Sequence, residues 1–181
     1  MISILSFSHF LVLIWAALAL GHGMVREIWA NGHRYNGWDP NGNLSAYPSD
    51  TPGWYTTNQG GGPLHPSDAN QLQIICAKGG SNANISATVA AGGEVRLRWW
   101  QAGQAWPEGH HGPIVDYLAS CNGPCSTTDM ASLKFVKIDE RGWVNSSIYT
   151  EGYWASDELI ANNGSWWVLE RLSGKIRSPK F

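Results

Sequence analysis

The sequence predicts an all-β chain, an antiparallel β-sandwich with long loops. Three observations carry this reading. Short apolar runs are separated by Gly, Asn and Pro turn signals, and no segment sustains a helical period. Residues 94–100 alternate cleanly, with Val95, Leu97 and Trp99 on one face and Glu94, Arg96 and Arg98 on the other. One wet face per strand is what antiparallel sheets allow.

Taken in order, residues 27–29 and 33–35 flank Asn31-Gly32, the signature of a hairpin closed by a type I′ turn. Residues 36–72 are rich in Gly, Pro, Asn and Ser and read as a long excursion, a feature that is usually functional at this length. Residues 87–89, the turn 90–93 and residues 94–100 read as a second hairpin. A loop over 101–113 leads into an apolar strand over 114–121, and 133–138 reads as another strand. Residues 156–161 suit one short helical turn, and 165–172 a last strand. Trp99 and Trp100 point to opposite faces, so at most one of them belongs to the core.

The chain has 181 residues, a length that suits one domain, here residues 22–181. Its net charge is −2, its basic residues are scattered, and only 14% of its residues are charged. That balance argues against a nucleic-acid partner, which demands clustered Lys and Arg. Residues 1–21 are apolar but too short and wrongly flanked for a membrane span. Ala19 and Gly21 are small residues suited to a cleavage site, so 1–21 reads as a signal peptide and the protein as secreted, with no membrane role and expected to be a monomer. Asn43, Asn84, Asn145 and Asn163 open glycosylation sequons. Of the 3 cysteines, Cys121 and Cys125 form a close pair around a turn and suit a disulfide. Cys76 is left unpaired.

Cleavage after Gly21 would give His22 a free α-amine beside its own imidazole. Amine and Nδ1 can close a six-membered chelate ring on one metal ion. The amine, with a pKa of about 7.7–8.0, gives up its proton to a metal readily. A further imidazole is offered by His110-His111 in a Gly- and Pro-flanked loop, and the residues alone leave open which of the two. An all-nitrogen donor set in a tetragonal arrangement favours Cu(II). His33 and His65 read as exposed or hydrogen-bonded loop imidazoles. No pair of carboxylates sits in a recognisable glycosidase context, which gives hydrolysis little support.

Read together, four segments resemble the fungal copper-dependent lytic polysaccharide monooxygenases of auxiliary activity family 9, formerly glycoside hydrolase family 61. They are His22-Gly23 after the signal segment; Trp106-Pro-Glu-Gly-His110-His111-Gly-Pro113 running into Ile114-Val-Asp-Tyr-Leu-Ala119; Cys121-Asn-Gly-Pro-Cys125 followed by Leu133-Lys-Phe-Val-Lys-Ile138; and Trp154-Ala-Ser-Asp-Glu-Leu-Ile-Ala-Asn-Asn-Gly-Ser-Trp166. The resemblance implies an immunoglobulin-like sandwich with a flat face around one copper ion. It implies that His22, through amine and Nδ1, and His110, through Nε2, are the metal ligands and catalytic residues. The family's ligand lies two residues before the Gly-Pro, which is His110, and His111 takes a variable position. The implied activity is oxidative cleavage of β-1,4-glucan such as cellulose at C1 or C4, with an external electron donor and O2 or H2O2. Tyr47, Trp54 and Tyr55, with Trp38 and Trp106, sit in loops where a sugar-stacking face could form.

After Trp166 the sequence departs from the family pattern. Members continue into further strands, a His and Gln behind the metal, an axial Tyr, and a Cys that bonds the one at the position of Cys76. The expectation is therefore a domain that lacks the family's C-terminal strand region, from natural shortening or from a gene model read into an intron. The other reading is a copper- or cellulose-binding accessory protein without monooxygenase turnover.

Overall fold

Asn31 and Gly32 adopt φ of 50° and 78°, the two left-handed conformations a type I′ turn requires. They join β1 (Met24–Ala30) to β2 (His33–Asn36), with Ala30 opposite His33. The first hairpin is thus the one the Asn-Gly pair predicts. The computed structural model describes residues 23–39, 50–58, 66–68, 70–101, 103–146 and 152–169. Residues 1–21, expected to be a signal peptide, His22, Asn43, Tyr47, His65 and the tail from residue 170 lie outside the described residues.

β3 (Glu94–Gln101) is the centre of a five-stranded sheet. One of its edges pairs with β1. The other pairs with β4 (Gln104–Ala105) and with β9 (Ser165–Leu169). Both edges are therefore taken, which is why the expected second hairpin does not form. Residues 87–89 make no strand; Ala87 and Val89 are instead buried, and the Gly93 amide donates to the Ala90 carbonyl at 2.8 Å.

The two faces of the sheet divide as the alternation predicts, with one difference. On the inner side, Trp99 and Val168 join Trp166, and against them pack Ala155 and Leu159 of α2 (Ala155–Ala161) and Ile114 of β5 (Ile114–Ala119). On the outer side Arg96 and Arg98 are half-buried rather than freely wet. Arg96 lies 4.3 Å over the Trp29 ring, and Arg26 and Arg98 flank Trp100 at 5.0 and 5.5 Å. Guanidinium planes stack on indoles; the Arg98 Nε donates to the Asn163 carbonyl at 3.2 Å, while the Arg96 Nε is buried without a hydrogen-bond partner. Trp99 is the inward and Trp100 the outward member of their pair.

β5 pairs with β6 (Phe135–Arg141), and β7 (Trp143–Asn145) with β8 (Tyr153–Trp154). β5 stops two residues short of the expected end and β6 starts two residues late, while β7 and β8 carry too short a pattern to be read in advance. The Cys121–Cys125 disulfide closes the turn after β5. There the Asn82 amide donates to the carbonyls of Cys125 and Thr128, both at 2.7 Å. Cys76, at the end of α1 (Gln73–Cys76), is a free thiol, and burial pushes its pKa up. Among the described residues no helix is long and apolar enough to cross a membrane.

Candidate functional site

Residues 106–113 leave the five-stranded sheet after β4 and enter the smaller sheet at β5. Trp106 anchors this loop. Its ring packs edge-on to Trp99, with centroids 5.8 Å apart, and its Nε1 donates to the His110 carbonyl at 3.1 Å. The His110 ring in turn stands edge-on to Trp106, again at 5.8 Å. His110 Nε2 lies 3.3 Å from the Gln101 Nε2, and its Nδ1 lies 3.4 Å from the Glu108 carbonyl. A side-chain amide nitrogen can only donate, and a carbonyl can only accept. These contacts suit a proton on the His110 Nδ1 and an Nε2 lone pair turned to the Gln101 amide, the tautomer that a metal ligand bound through Nε2 needs.

His111 turns the other way. Its Nδ1 donates to Asp157 Oδ1 at 2.6 Å, while Asp157 Oδ2 accepts the Trp154 amide at 2.7 Å. Asp157 is 4% exposed, so both carboxylate oxygens are satisfied in a setting where an unpaired one would be costly. The side chains of His110 and His111 thus serve different neighbours, one on the Trp106 side and one on α2.

The chain enters β1 through Gly23, which lies directly against this loop. A Cβ on Gly23 would sit 2.9 Å from the Trp100 carbonyl oxygen and 2.9 Å from the Trp106 ring. The close approach demands glycine at the position after His22. Met24 pairs with Trp100 in the sheet, which fixes that approach. Among the described residues no group of three or more His, Cys, Asp or Glu is placed to hold a metal ion. The described donors here are His110 and His111.

The sequence model of Auxiliary Activity family 9 (formerly GH61) matches residues 22–170. The chain belongs to auxiliary activity family 9. It is 44% identical over 160 residues to the AA9 family lytic polysaccharide monooxygenase A of Talaromyces pinophilus, covering 87% of this chain and 49% of that one. It is 42% identical over 154 residues to the AA9 family lytic polysaccharide monooxygenase E of Aspergillus tamarii, covering 84% and 60%. Among solved structures, the extended catalytic domain of H. jecorina LPMO9A matches with a TM-score of 0.69 at 36% identity, covering 82% of this chain and 58% of that one. The chain spans about half the length of the first of these relatives.

The aromatic residues of the family's loops fall into two groups here. Trp54 is 51% exposed and presents its ring to solvent. Tyr55 is half-buried, its ring tilted against the buried Trp38 with centroids 4.7 Å apart, and its backbone bridges to Ser81. Trp38 and Trp106 are packing residues, with the Trp38 Nε1 donating to the Thr56 carbonyl at 2.9 Å. Asn84, Asn145 and Asn163 are exposed. His33 is exposed at the start of β2, opposite Ala30.

Gln101, Ser156 and Asp157 contact the His110 loop and escaped sequence reasoning. Ser156 Oγ donates to the His110 carbonyl at 2.8 Å and accepts the Gly112 amide at 2.8 Å. The available signal was Ser-Asp just before an amphipathic stretch, which marks a helix start without saying what the start would grip.

An open groove of about 400 Å³ runs beside the loop, lined among others by Leu97, Trp99, Ile114, Asp116, Leu159 and Trp166. Asp116 Oδ2 accepts from Trp166 Nε1 at 2.9 Å. Burial pushes the Asp116 pKa up, the indole N–H opposes that, and the neighbouring Asp139 charge adds to it.

Proposed function

We infer that this chain is a secreted oxidoreductase that cleaves β-1,4-glucan, with cellulose as the first candidate, at C1 or C4. The reading assigns one copper ion to the amine and Nδ1 of His22 together with Nε2 of His110, and both histidines as the catalytic residues. One observation carries it: Gly23, the residue after His22, packs on Trp106, whose ring stands against His110. The family match that begins at residue 22 supports the same pairing.

The donor set fits copper chemically, because two imidazoles and an amine are nitrogen ligands suited to tetragonal coordination. Copper held there would supply the one-electron redox chemistry that, with an external electron donor and O2 or H2O2, oxidises a glucose unit at C1 or C4. The protein's own residues prepare that site. The Glu108 carbonyl accepts from Nδ1 of His110 and so keeps the Nε2 lone pair available. The Gln101 amide faces that lone pair at 3.3 Å and would have to give way to a metal bound there. Trp106 walls the ring on one side. Trp54 supplies an exposed ring on which a pyranose face can stack.

A second reading is a copper- or cellulose-binding accessory protein without monooxygenase turnover. Incubating the secreted protein with cellulose, a reductant and H2O2 tests the first against the second. Oxidised oligosaccharides that depend on both reductant and copper are the expected product. Copper uptake without any oxidised product would favour the accessory protein.

A further inference from the structure

The start of α2 holds the His110 loop from behind. Ser156 Oγ donates to the His110 carbonyl and accepts the Gly112 amide, each at 2.8 Å, while the Ser156 amide donates to the Gly112 carbonyl at 3.1 Å. One residue thus spans His111 on both sides. The His110 carbonyl accepts a further bond from Trp106 Nε1 at 3.1 Å, so two donors share it. Asp157, next in the chain, ties His111 Nδ1 to the Trp154 amide. Ser156 and Asp157 are each 4% exposed, so water does not compete for these bonds. Within the loop, the Trp106 Nε1 bond holds the His110 carbonyl; the bonds from Ser156 and Asp157 add a second hold from α2.

We propose that Ser156 is a positioning residue for the metal centre, fixing the backbone of His110 so that Nε2 is held at the place a ligand must occupy. This rests on the copper reading of His110 given above. The Ser156 hydroxyl bonds the His110 carbonyl and the Gly112 amide rather than the His110 ring. It acts through the His110 carbonyl, and an imidazole carried on a loosened backbone would meet a metal in a distribution of geometries. Outer partners of metal ligands typically alter affinity about 10–100-fold.

The test compares the secreted wild-type protein with Ser156→Ala and with Val89→Ala. Val89 is a core residue, 2% exposed, whose truncation lowers stability without removing a bond to this loop. Amide hydrogen exchange is measured first, without metal. Ser156→Ala should speed exchange at Gly112 by about tenfold or more, while Val89→Ala leaves that site unchanged relative to the rest of the chain. Cu(II) alone is then titrated and followed by electron paramagnetic resonance. Ser156→Ala should weaken binding about 10–100-fold and broaden the copper hyperfine pattern, and Val89→Ala should do neither. A Ser156→Ala protein with wild-type exchange at Gly112, or with a wild-type copper spectrum and affinity, overturns the proposal. Wild-type protein that takes up no copper overturns the copper reading instead, and the exchange result then stands as a purely structural clamp, which also ends the proposal.

Discussion

His111 Nδ1 donates to Asp157 Oδ1 at 2.6 Å, and this one bond separates the roles of two adjacent histidines. It commits the His111 ring to α2, while His110 keeps its ring on Trp106 and its Nε2 lone pair turned to the Gln101 amide. Two identical side chains in an unbroken His-His pair thereby acquire different chemistry from their neighbours alone.

Replacing each histidine should separate those roles. His110→Ala should abolish copper binding tighter than about 1 μM. His111→Ala should keep copper affinity within about tenfold but cost about 1–3 kcal/mol of stability, because it strips a partner from the buried Asp157 carboxylate. Isothermal titration with Cu(II) and thermal unfolding read the two effects. The reverse pattern would move the ligand assignment to His111.

Gly23→Ala places a methyl against the Trp100 carbonyl and the Trp106 ring, each 2.9 Å away. One side of that contact is backbone in a paired strand, so the structure cannot yield cheaply. A loss of about 1–3 kcal/mol is expected, with weaker copper binding, since the entry to β1 is displaced from the His110 loop. Denaturant unfolding measures the first and copper titration the second.

Asp116 makes stability depend on pH. Its pKa is raised in the folded protein, first by burial, with Asp139 adding to the rise and the Trp166 N–H opposing it. A raised folded-state pKa means the folded form binds the proton more tightly than the unfolded chain does. The stabilisation is complete below the unfolded carboxylate pKa and is lost as pH rises through the folded value. Asp116→Asn keeps an acceptor for Trp166 and carries no charge. It should raise the melting temperature at neutral pH, with the gain shrinking as pH falls below the carboxylate range. Melting curves from pH 3 to 8 for both proteins check this, and a constant difference across that range would contradict it.

Trp54→Ala should weaken retention on cellulose about tenfold, in line with loss of one stacking ring, while the melting temperature stays within a degree or two. Its ring is 51% exposed, so little packing is lost. The buried Trp38 is the contrast: Trp38→Ala should cost about 3–5 kcal/mol. Pull-down on microcrystalline cellulose beside thermal unfolding distinguishes the two.

Much of the framework was legible because its signals are local. Asn31-Gly32 specifies a turn that few other dipeptides make, and the alternation over Glu94–Gln101 marks a strand and its two faces. Ala87–Val89 misled because a turn beside a strand looks like a hairpin, whereas β1 and β9, which pair along most of β3, come from residues far along the chain. Such competition for an edge is invisible in a window of ten residues. The His110 loop was found through the spacing of its Gly, His and Pro residues. The bonds from Ser156 and Gln101 that hold it were not, since Ser156 lies 46 residues from His110 and a serine at a helix start has many ordinary uses. Tyr55 illustrates the same limit: exposure of a loop aromatic depends on which ring lies beneath it, here Trp38.

The central claim is that the amine of His22 shares one copper ion with its own ring and with His110. The most direct measurement is Cu(II) titration, followed by electron paramagnetic resonance, of two proteins that differ by one residue: one beginning at His22, the other with a single alanine added before it. The account predicts one tightly held copper with nitrogen hyperfine structure in the first protein, and loss of that tight site in the second. Equal affinity and the same spectrum in both would contradict it.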